Sequence, residues 1–181
     1  YLPASRGFDF AVGSIGNLGE GEGPSFYRGT QKIDSWPGAP VTSPLYRDEA
    51  VKFIAENRAQ PWFLYLAFNA VHTPHVASPN WLEKFRHLPT RQAQYAANLA
   101  EADEAIGAVM AKLHELKLEE NTLIFFIGDN GAPLGKAWDG SLNTPLVGQK
   151  GMLSEGGIRT PFVAAWPGHL PAGTVYDRPV I

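Results

Sequence analysis

The residues Phe125-Phe126-Ile127-Gly128-Asp129-Asn130-Gly131 join an apolar run to an acid and an amide. Such a run reads as a buried strand delivering two oxygen donors at its carboxyl end, where open α/β sheets place their sites. A carboxylate beside a carboxamide suits a hard cation, calcium or magnesium, better than a soft metal. The flanking glycines let the backbone turn sharply and leave room for a ligand. Asn-Gly by itself also reads as a type I′ hairpin turn. Two features speak against that turn: Leu123 to Ile127 is continuously apolar, as in a strand covered on both faces of a parallel sheet, and Ala132-Pro133-Leu134-Gly135 begins no matching strand.

His72 and Lys150 are the other candidates. His72 follows the apolar run Phe63-Leu64-Tyr65-Leu66-Ala67-Phe68 in a loop with Pro74, and loops at strand ends collect binding residues. A lone histidine is also a common structural residue. Lys150 stands among glycines ahead of Glu155-Gly156-Gly157, as either a flexible surface residue or a cation held against an anion. With a hard cation at Asp129 and Asn130, the two would surround an oxyanion with positive charge and donors. That arrangement suits cleavage of a sulfate or phosphate ester, where charge on the oxygens supplies much of the rate.

The elements that must position these residues follow from the pattern. Residues 1–42 are rich in Gly, Pro and aromatics, with the run Gly13 to Gly23 in the middle, and read as irregular, loop-dominated structure. Ser43-Pro44 predicts an N-cap and a first-turn proline, with Asp48 and Glu49 near the positive end of a helix to about Glu56. Phe63 to Phe68 predicts a second buried strand. From Arg91 to Leu116, Tyr95, Leu99, Ala102, Ile106, Val109, Leu113 and Leu116 fall on one helical stripe, read as core packed on the sheet. Asp103 lies one residue off it, solvated or reaching towards the site. Phe162 to Trp166 is a third strand closed by Pro167-Gly168. Strand, helix, strand, loop, strand predicts an α/β fold: a mostly parallel sheet flanked by helices.

Composition narrows the partners. A chain of 181 residues, 44% hydrophobic and 12% aromatic, has the material for a core. A net charge of −3 without a basic block excludes nucleic acid as an expected partner. No apolar stretch is long enough to predict a membrane span. Cysteine is absent, which removes disulfides, thiolate metal sites and a cysteine nucleophile from these residues.

Three segments taken together resemble a known family: Phe63 to Phe68 with Asn69-Ala70-Val71-His72-Thr73-Pro74; Gly128-Asp129-Asn130-Gly131; and Asn143-Thr144-Pro145-Leu146-Val147-Gly148-Gln149-Lys150-Gly151 with Glu155-Gly156-Gly157-Ile158-Arg159-Thr160-Pro161. In order and spacing they are similar to the type I sulfatases, the formylglycine-dependent arylsulfatase family of the alkaline-phosphatase-like superfamily. The resemblance runs from Arg6-Gly7-Phe8-Asp9 to Trp166-Pro167-Gly168. It implies that Asp129 and Asn130 ligate calcium, with magnesium the lesser choice, and that His72 and Lys150 contact the sulfate. Glu155, Gly156, Gly157 and Arg159 match as scaffold of the same loop, whereas His75 has no counterpart and reads as a loop residue.

The chain also departs from that family. The sulfatase nucleophile is a cysteine or serine in a Cys/Ser-x-Pro-x-Arg motif, converted to formylglycine; Tyr1-Leu2-Pro3-Ala4-Ser5-Arg6 has the wrong residue and spacing. Pro3 to Asp9 instead resembles the family segment that follows the nucleophile, the first metal-binding aspartates and a Gly-Lys-Trp-His-Leu-Gly element. Residues 1–181 therefore read as part of one sulfatase catalytic domain truncated at both ends, with the formylglycine expected in a missing upstream segment. The expected activity of the parent is calcium-dependent hydrolysis of a sulfuric ester on a sulfated small molecule or carbohydrate, in a periplasmic, secreted or lysosomal setting. Two alternatives stay open: a phosphonate or phosphate ester hydrolase of the same superfamily, and a non-catalytic anion-binding module.

Overall fold

The computed structural model describes residues 2–17, 25–135 and 140–178. Residues 18–24, in the glycine-rich run, lie outside the described residues, as do Tyr1, residues 136–139 and Pro179 to Ile181. The chain forms two compact units, Tyr1–Lys112 and Leu113–Ile181.

In the first unit, β1 (Val12–Ile15), β2 (Ser25–Arg28) and β3 (Gln31–Ile33) form an antiparallel sheet in the order β1-β2-β3. Residues 1–42, expected as irregular and loop-dominated, thus hold a small sheet. The hairpin between β2 and β3 pairs Arg28 with Gln31 and leaves Gly29-Thr30 as a two-residue turn. Gly29 has φ +61, the left-handed conformation that a primed hairpin turn requires at its first central residue. Strands of three or four residues between glycines and prolines carry too little pattern to be seen in the sequence.

Helix α1 (Ser43–Asn57) buries Tyr46, Ala50 and Ile54 at steps of four, beside Leu45. Thr42, not Ser43, is its N-cap. Proline fits any position in the first turn, where its missing N–H has no helical partner, so Pro44 did not fix the start to a single residue. Phe26, Leu45 and Tyr46 form a core against Ile33, Trp36, Leu66, Phe68 and Val76, and the Phe26 and Trp36 rings lie 4.0 Å apart. Arg28 Nη1 donates to Glu49 Oε2 at 3.0 Å, with a second, parallel bond from Nη2 to Oε1, so a two-pronged pair ties β2 to α1.

Phe63 to Phe68 belongs to no ladder among the described residues. Its exposure alternates: Phe63 and Tyr65 are each 73% exposed, whereas Leu66 and Phe68 pack on the core. The expected strand buried on both faces is thus an extended segment buried on one. After α2 (Pro79–Lys84), helix α3 (Thr90–Glu115) matches its predicted span to within one residue. Its buried face differs from the predicted stripe. Ala93, Ala97, Ala102, Ala105 and Leu113 are buried, with Asn98 and Glu101 among them, while Leu99 is 48% exposed. Small alanines let neighbouring chain come close, so the covered face follows the alanines and not the largest hydrophobic residues. Asp103 is exposed.

In the second unit, β4 (Ile124–Ile127) and β5 (Phe162–Ala165) pair antiparallel, Ile124 with Ala165 through Ile127 with Phe162. The helical and sheet elements agree with the α/β class, but every ladder among the described residues is antiparallel, where a mostly parallel sheet was expected. A parallel neighbour needs a crossover, usually helical, and the one helix between these strands among the described residues, α4 (Glu155–Ile158), is a single turn just ahead of β5. Phe125, Phe126 and Ile127 are exposed, not covered on both faces as predicted, because β4 has one ladder neighbour among the described residues. Trp166 Nε1 donates to Glu120 O at 3.0 Å and closes the far end of this ribbon.

Ile54 is 0% exposed. Ile54→Ala should therefore destabilise the first unit by about 2–5 kcal/mol, read as a lowered urea midpoint; an unchanged midpoint would show that α1 does not carry this core.

Candidate active site

Asp129 and Asn130 stand just past the end of β4. Gly128 N–H donates to Pro161 O at 2.9 Å and Gly131 N–H to Gly157 O at 2.9 Å, so residues 128–131 continue alongside the chain that leads into β5. The partner of β4 lies more than thirty residues away in sequence, so Asn130-Gly131 is not the two-residue turn of a hairpin. Asn130 Nδ2 donates to Gly131 O at 3.1 Å, which leaves Oδ1 as the oxygen presented by that amide. Asp129 is exposed and Asn130 half-buried.

The loop that carries Lys150 is fastened to this segment through backbone. Lys150 N–H donates to Ala132 O at 3.3 Å. Asn143 does more: its Oδ1 accepts from Ala132 N–H at 2.9 Å, and its Nδ2 donates to Ala132 O at 2.7 Å and to Gly148 O at 2.9 Å. One carboxamide thus acts as an extra peptide group between the segment after Asp129-Asn130 and the segment before Lys150. The sequence shows Asn143 only as a member of a motif; its role needed the fold.

The chains approach here as closely as backbone allows. A Cβ on Gly131 would lie 1.7 Å from Gly156 O, and one on Gly156 would lie 2.3 Å from Gly148 O. Gly156 N–H donates to Val147 O at 2.8 Å and Gly157 N–H to Ser154 O at 2.8 Å. Glu155 and Arg159 form an exposed ion pair at 3.1 Å across α4, consistent with the scaffold reading of that motif. The structure therefore brings Asp129, Asn130 and the Lys150 loop together within the second unit. The Lys150 side chain is exposed and makes no ion pair among the described residues.

His72 belongs to the first unit and sits in a closely tied turn. Its N–H donates to Asn69 O at 2.8 Å, and its Nδ1 lies 2.8 Å from Thr73 O. A carbonyl can only accept, so Nδ1 carries the proton and the ring orientation is fixed. Asn69 is held in turn: Tyr46 Oη donates to its Oδ1 at 2.7 Å, and its Nδ2 donates to Ser14 Oγ at 3.3 Å. Burial pushes the Tyr46 hydroxyl above its usual range, with the hydrogen bonding of Ser14 pulling against it. His75, expected as a loop residue, lies outside helix and strand and also packs. Its ring stands edge-on to Tyr95 at 5.3 Å, and burial lowers its pKa, opposed by a bond to the Val71 backbone and assisted by the neighbouring His72.

The oxygens of Asp129 and Asn130 have the right character for a calcium ion but fill only part of the roughly six to eight positions it takes. Among the described residues, no group of three or more His, Cys, Asp or Glu side chains converges to complete such a shell.

Comparison with known proteins decides the family. The sulfatase family pattern matches residues 3–180. The chain belongs to the sulfatase family. It is 39% identical to N-acetylgalactosamine-6-sulfatase of Sus scrofa over 72% of this chain and 25% of that protein. It is 38% identical to steryl-sulfatase of Mus musculus over 73% of this chain and 21% of that protein. Among solved structures, Ps i-CgsB in complex with k-i-k-neocarrahexaose superposes with a TM-score of 0.76 at 32% identity, covering 86% of this chain and 34% of the other. PsFucS1 sulfatase from Pseudoalteromonas sp. gives 0.67 at 30% identity over 84% of this chain and 31% of the other. The sulfatase chain thus spans about a quarter of the length of the curated relatives it matches.

Two outcomes follow for the sulfatase chain. Gly156→Ala forces its new methyl into the Gly148 carbonyl and should cost about 1–3 kcal/mol or more, seen as lowered thermal stability and faster amide exchange at Gly131; wild-type exchange would contradict the close approach. His75 has a folded pKa below its unfolded value, so the unfolded state binds the extra proton first. Stability should fall as pH drops through and below about 6.5, and His75→Phe should flatten that part of the melting-temperature profile; an equally steep profile in the variant would refute it.

Proposed function

We propose that the parent enzyme of this chain hydrolyses a sulfate ester, with His72 and Lys150 contacting the sulfate and with Asp129 and Asn130 supplying part of a calcium shell. The observation that supports this reading most is the backbone and Asn143 bonding that joins Asp129-Asn130-Gly131-Ala132 to the Lys150 loop. It sets a hard-cation donor pair and a flexible ammonium on one tied scaffold, which is what an oxyanion needs. Residues 1–181 are then part of one catalytic domain, and the nucleophile, a formylglycine, comes from outside them.

Lys150 places a compact, three-donor charge against sulfate oxygens. His72, with Nδ1 committed to Thr73 O, meets the substrate with a ring of fixed orientation. Calcium, when bound, would add positive charge on the sulfate oxygens, and is preferred over magnesium because a carboxylate and a carboxamide suit its larger, looser shell. A sulfated carbohydrate is the favoured substrate class. Its support is the similarity to an N-acetylgalactosamine-6-sulfatase and to a structure holding a neocarrahexaose. The comparable identity to steryl-sulfatase supports a steroid sulfate as the second reading.

His72→Ala and Lys150→Ala in the parent enzyme should each lower kcat/KM for an aryl sulfate by roughly ten- to a thousandfold. Unchanged rates in both would defeat the sulfate assignment. Purified residues 1–181 should turn over no aryl sulfate and bind calcium weakly, while the parent coexpressed with the formylglycine-generating enzyme should be active. Turnover by residues 1–181 that depends on Asp129 would place a nucleophile inside them and overturn the proposal.

A further inference from the structure

Helix α3 carries three side chains at steps of three that the sulfate chemistry does not use: Tyr95, Asn98 and Glu101. They meet three positions of the segment that leaves the His72 turn. The Tyr95 ring packs against His75. Asn98 Nδ2 donates to Val76 O at 2.6 Å. Glu101 Oε2 accepts from Ser78 N–H at 3.0 Å, and its Oε1 accepts from Ser78 Oγ.

The match is one of length. Six helical residues rise about 9 Å, and three extended residues advance about 10 Å. Residues 95–101 and 75–78 therefore run side by side in the same direction and stay in step, with Ala97, Ala102 and Ala105 small enough to permit close approach. Asn98 and Glu101 are 5% and 4% exposed. A carboxamide and a carboxylate are costly to bury unless bonded; here both Glu101 oxygens and the Asn98 amide nitrogen are spent on fixing a loop, while Asn98 Oδ1 is buried without a hydrogen-bond partner among the described residues. Arg47 of α1, ion-paired with Asp48, has its pKa raised by Asp48 first and also by Glu104 and Glu101.

We infer that Asn98 and Glu101 are positioning residues for the sulfatase reaction: by holding residues 76–78 on α3 they fix the His72 turn, whose other end is held at Asn69 by Tyr46 and Ser14. His75 connects the two, since its ring lies on Tyr95 and bonds back to the Val71 backbone, next to His72. The inference rests on the reading that His72 contacts the sulfate. Neither Asn98 nor Glu101 touches substrate in this account; they act through the aim of one imidazole.

The test is a double-mutant cycle in the parent enzyme, with an aryl sulfate as substrate. Asn98→Asp keeps the shape and removes the donor to Val76 O; Ser78→Ala removes the hydroxyl bond to Glu101 and leaves the amide bond. Each should lower kcat by on the order of ten- to a hundredfold, with KM changing less, the scale of a small misplacement at a reacting centre. Ser78→Thr should recover most of the rate. In a His72→Ala background both costs should shrink to within about twofold, because the group being aimed is gone. Equal losses with and without His72 would overturn the inference and make the clamp merely structural. A silent His72→Ala would instead defeat the sulfate contact itself. If Asn98→Asp does not fold, the Ser78 pair decides the question alone, with circular dichroism confirming that both Ser78 variants retain α3.

Discussion

The contact on which the second unit depends is backbone against backbone: Gly131 lies on the carbonyl of Gly156, and Gly156 on that of Gly148. No side chain fits between them. That exclusion brings three stretches of chain close enough for the Gly131 N–H to donate to Gly157 O, the Gly156 N–H to Val147 O and the Lys150 N–H to Ala132 O, outside any regular sheet. Backbone donors and acceptors removed from water must find partners, and here they find one another, with the Asn143 amide filling the remaining places. Asp129, Asn130 and Lys150 are the polar residues this packing leaves at its margins. Asp129 and Lys150 are exposed and Asn130 half-buried, since the interior of the loop is taken up by glycine, peptide groups and the small polar side chains of Asn143 and Ser154.

The first unit reaches order by a different route. Its core is aromatic, with Phe26, Trp36, Tyr46 and Phe68 packed near one another, and its polar bonds run outward from that core to the His72 turn. Tyr46 belongs to both systems, its ring in the core and its hydroxyl on Asn69. A stable core residue is thus one bond away from the turn that carries a proposed sulfate contact. Charge placed by a loose loop would be poorly aimed, and each unit reaches rigidity with different materials.

The sequence made α3, α1, β4 and β5 legible because each has a long period or an uninterrupted apolar run. Ser25 to Ile33 was illegible, since strands this short between glycine and proline carry almost no periodicity. The pairing direction was misjudged for a physical reason: an apolar run ending in acid and amide looks alike whether its neighbour is parallel or antiparallel, and only the intervening chain decides. The α3 stripe failed at Leu99 because burial was ruled by how near the neighbouring backbone comes, which favours alanine, and not by side-chain size. Of the site, Asp129, Asn130, His72 and Lys150 stood out by type and spacing. Asn143, Asn98 and Glu101 did not, since an amide or acid that bonds to backbone has no signature until the fold shows which peptide it meets.

The side-by-side run of α3 and residues 75–78 also bears on how this part of the chain tolerates changes of length. Each residue added to a helix turns everything beyond it by about 100° and moves it by about 1.5 Å. An insertion between Tyr95 and Glu101 would swing at least one of the three side chains off its partner, and a deletion between His75 and Ser78 would pull the extended segment out of step by a similar distance. Surface loops elsewhere absorb such changes. Over these two short stretches the chain is constrained in number of residues as firmly as in their identity, so sulfatases that share the clamp should share its spacing even where their side chains differ.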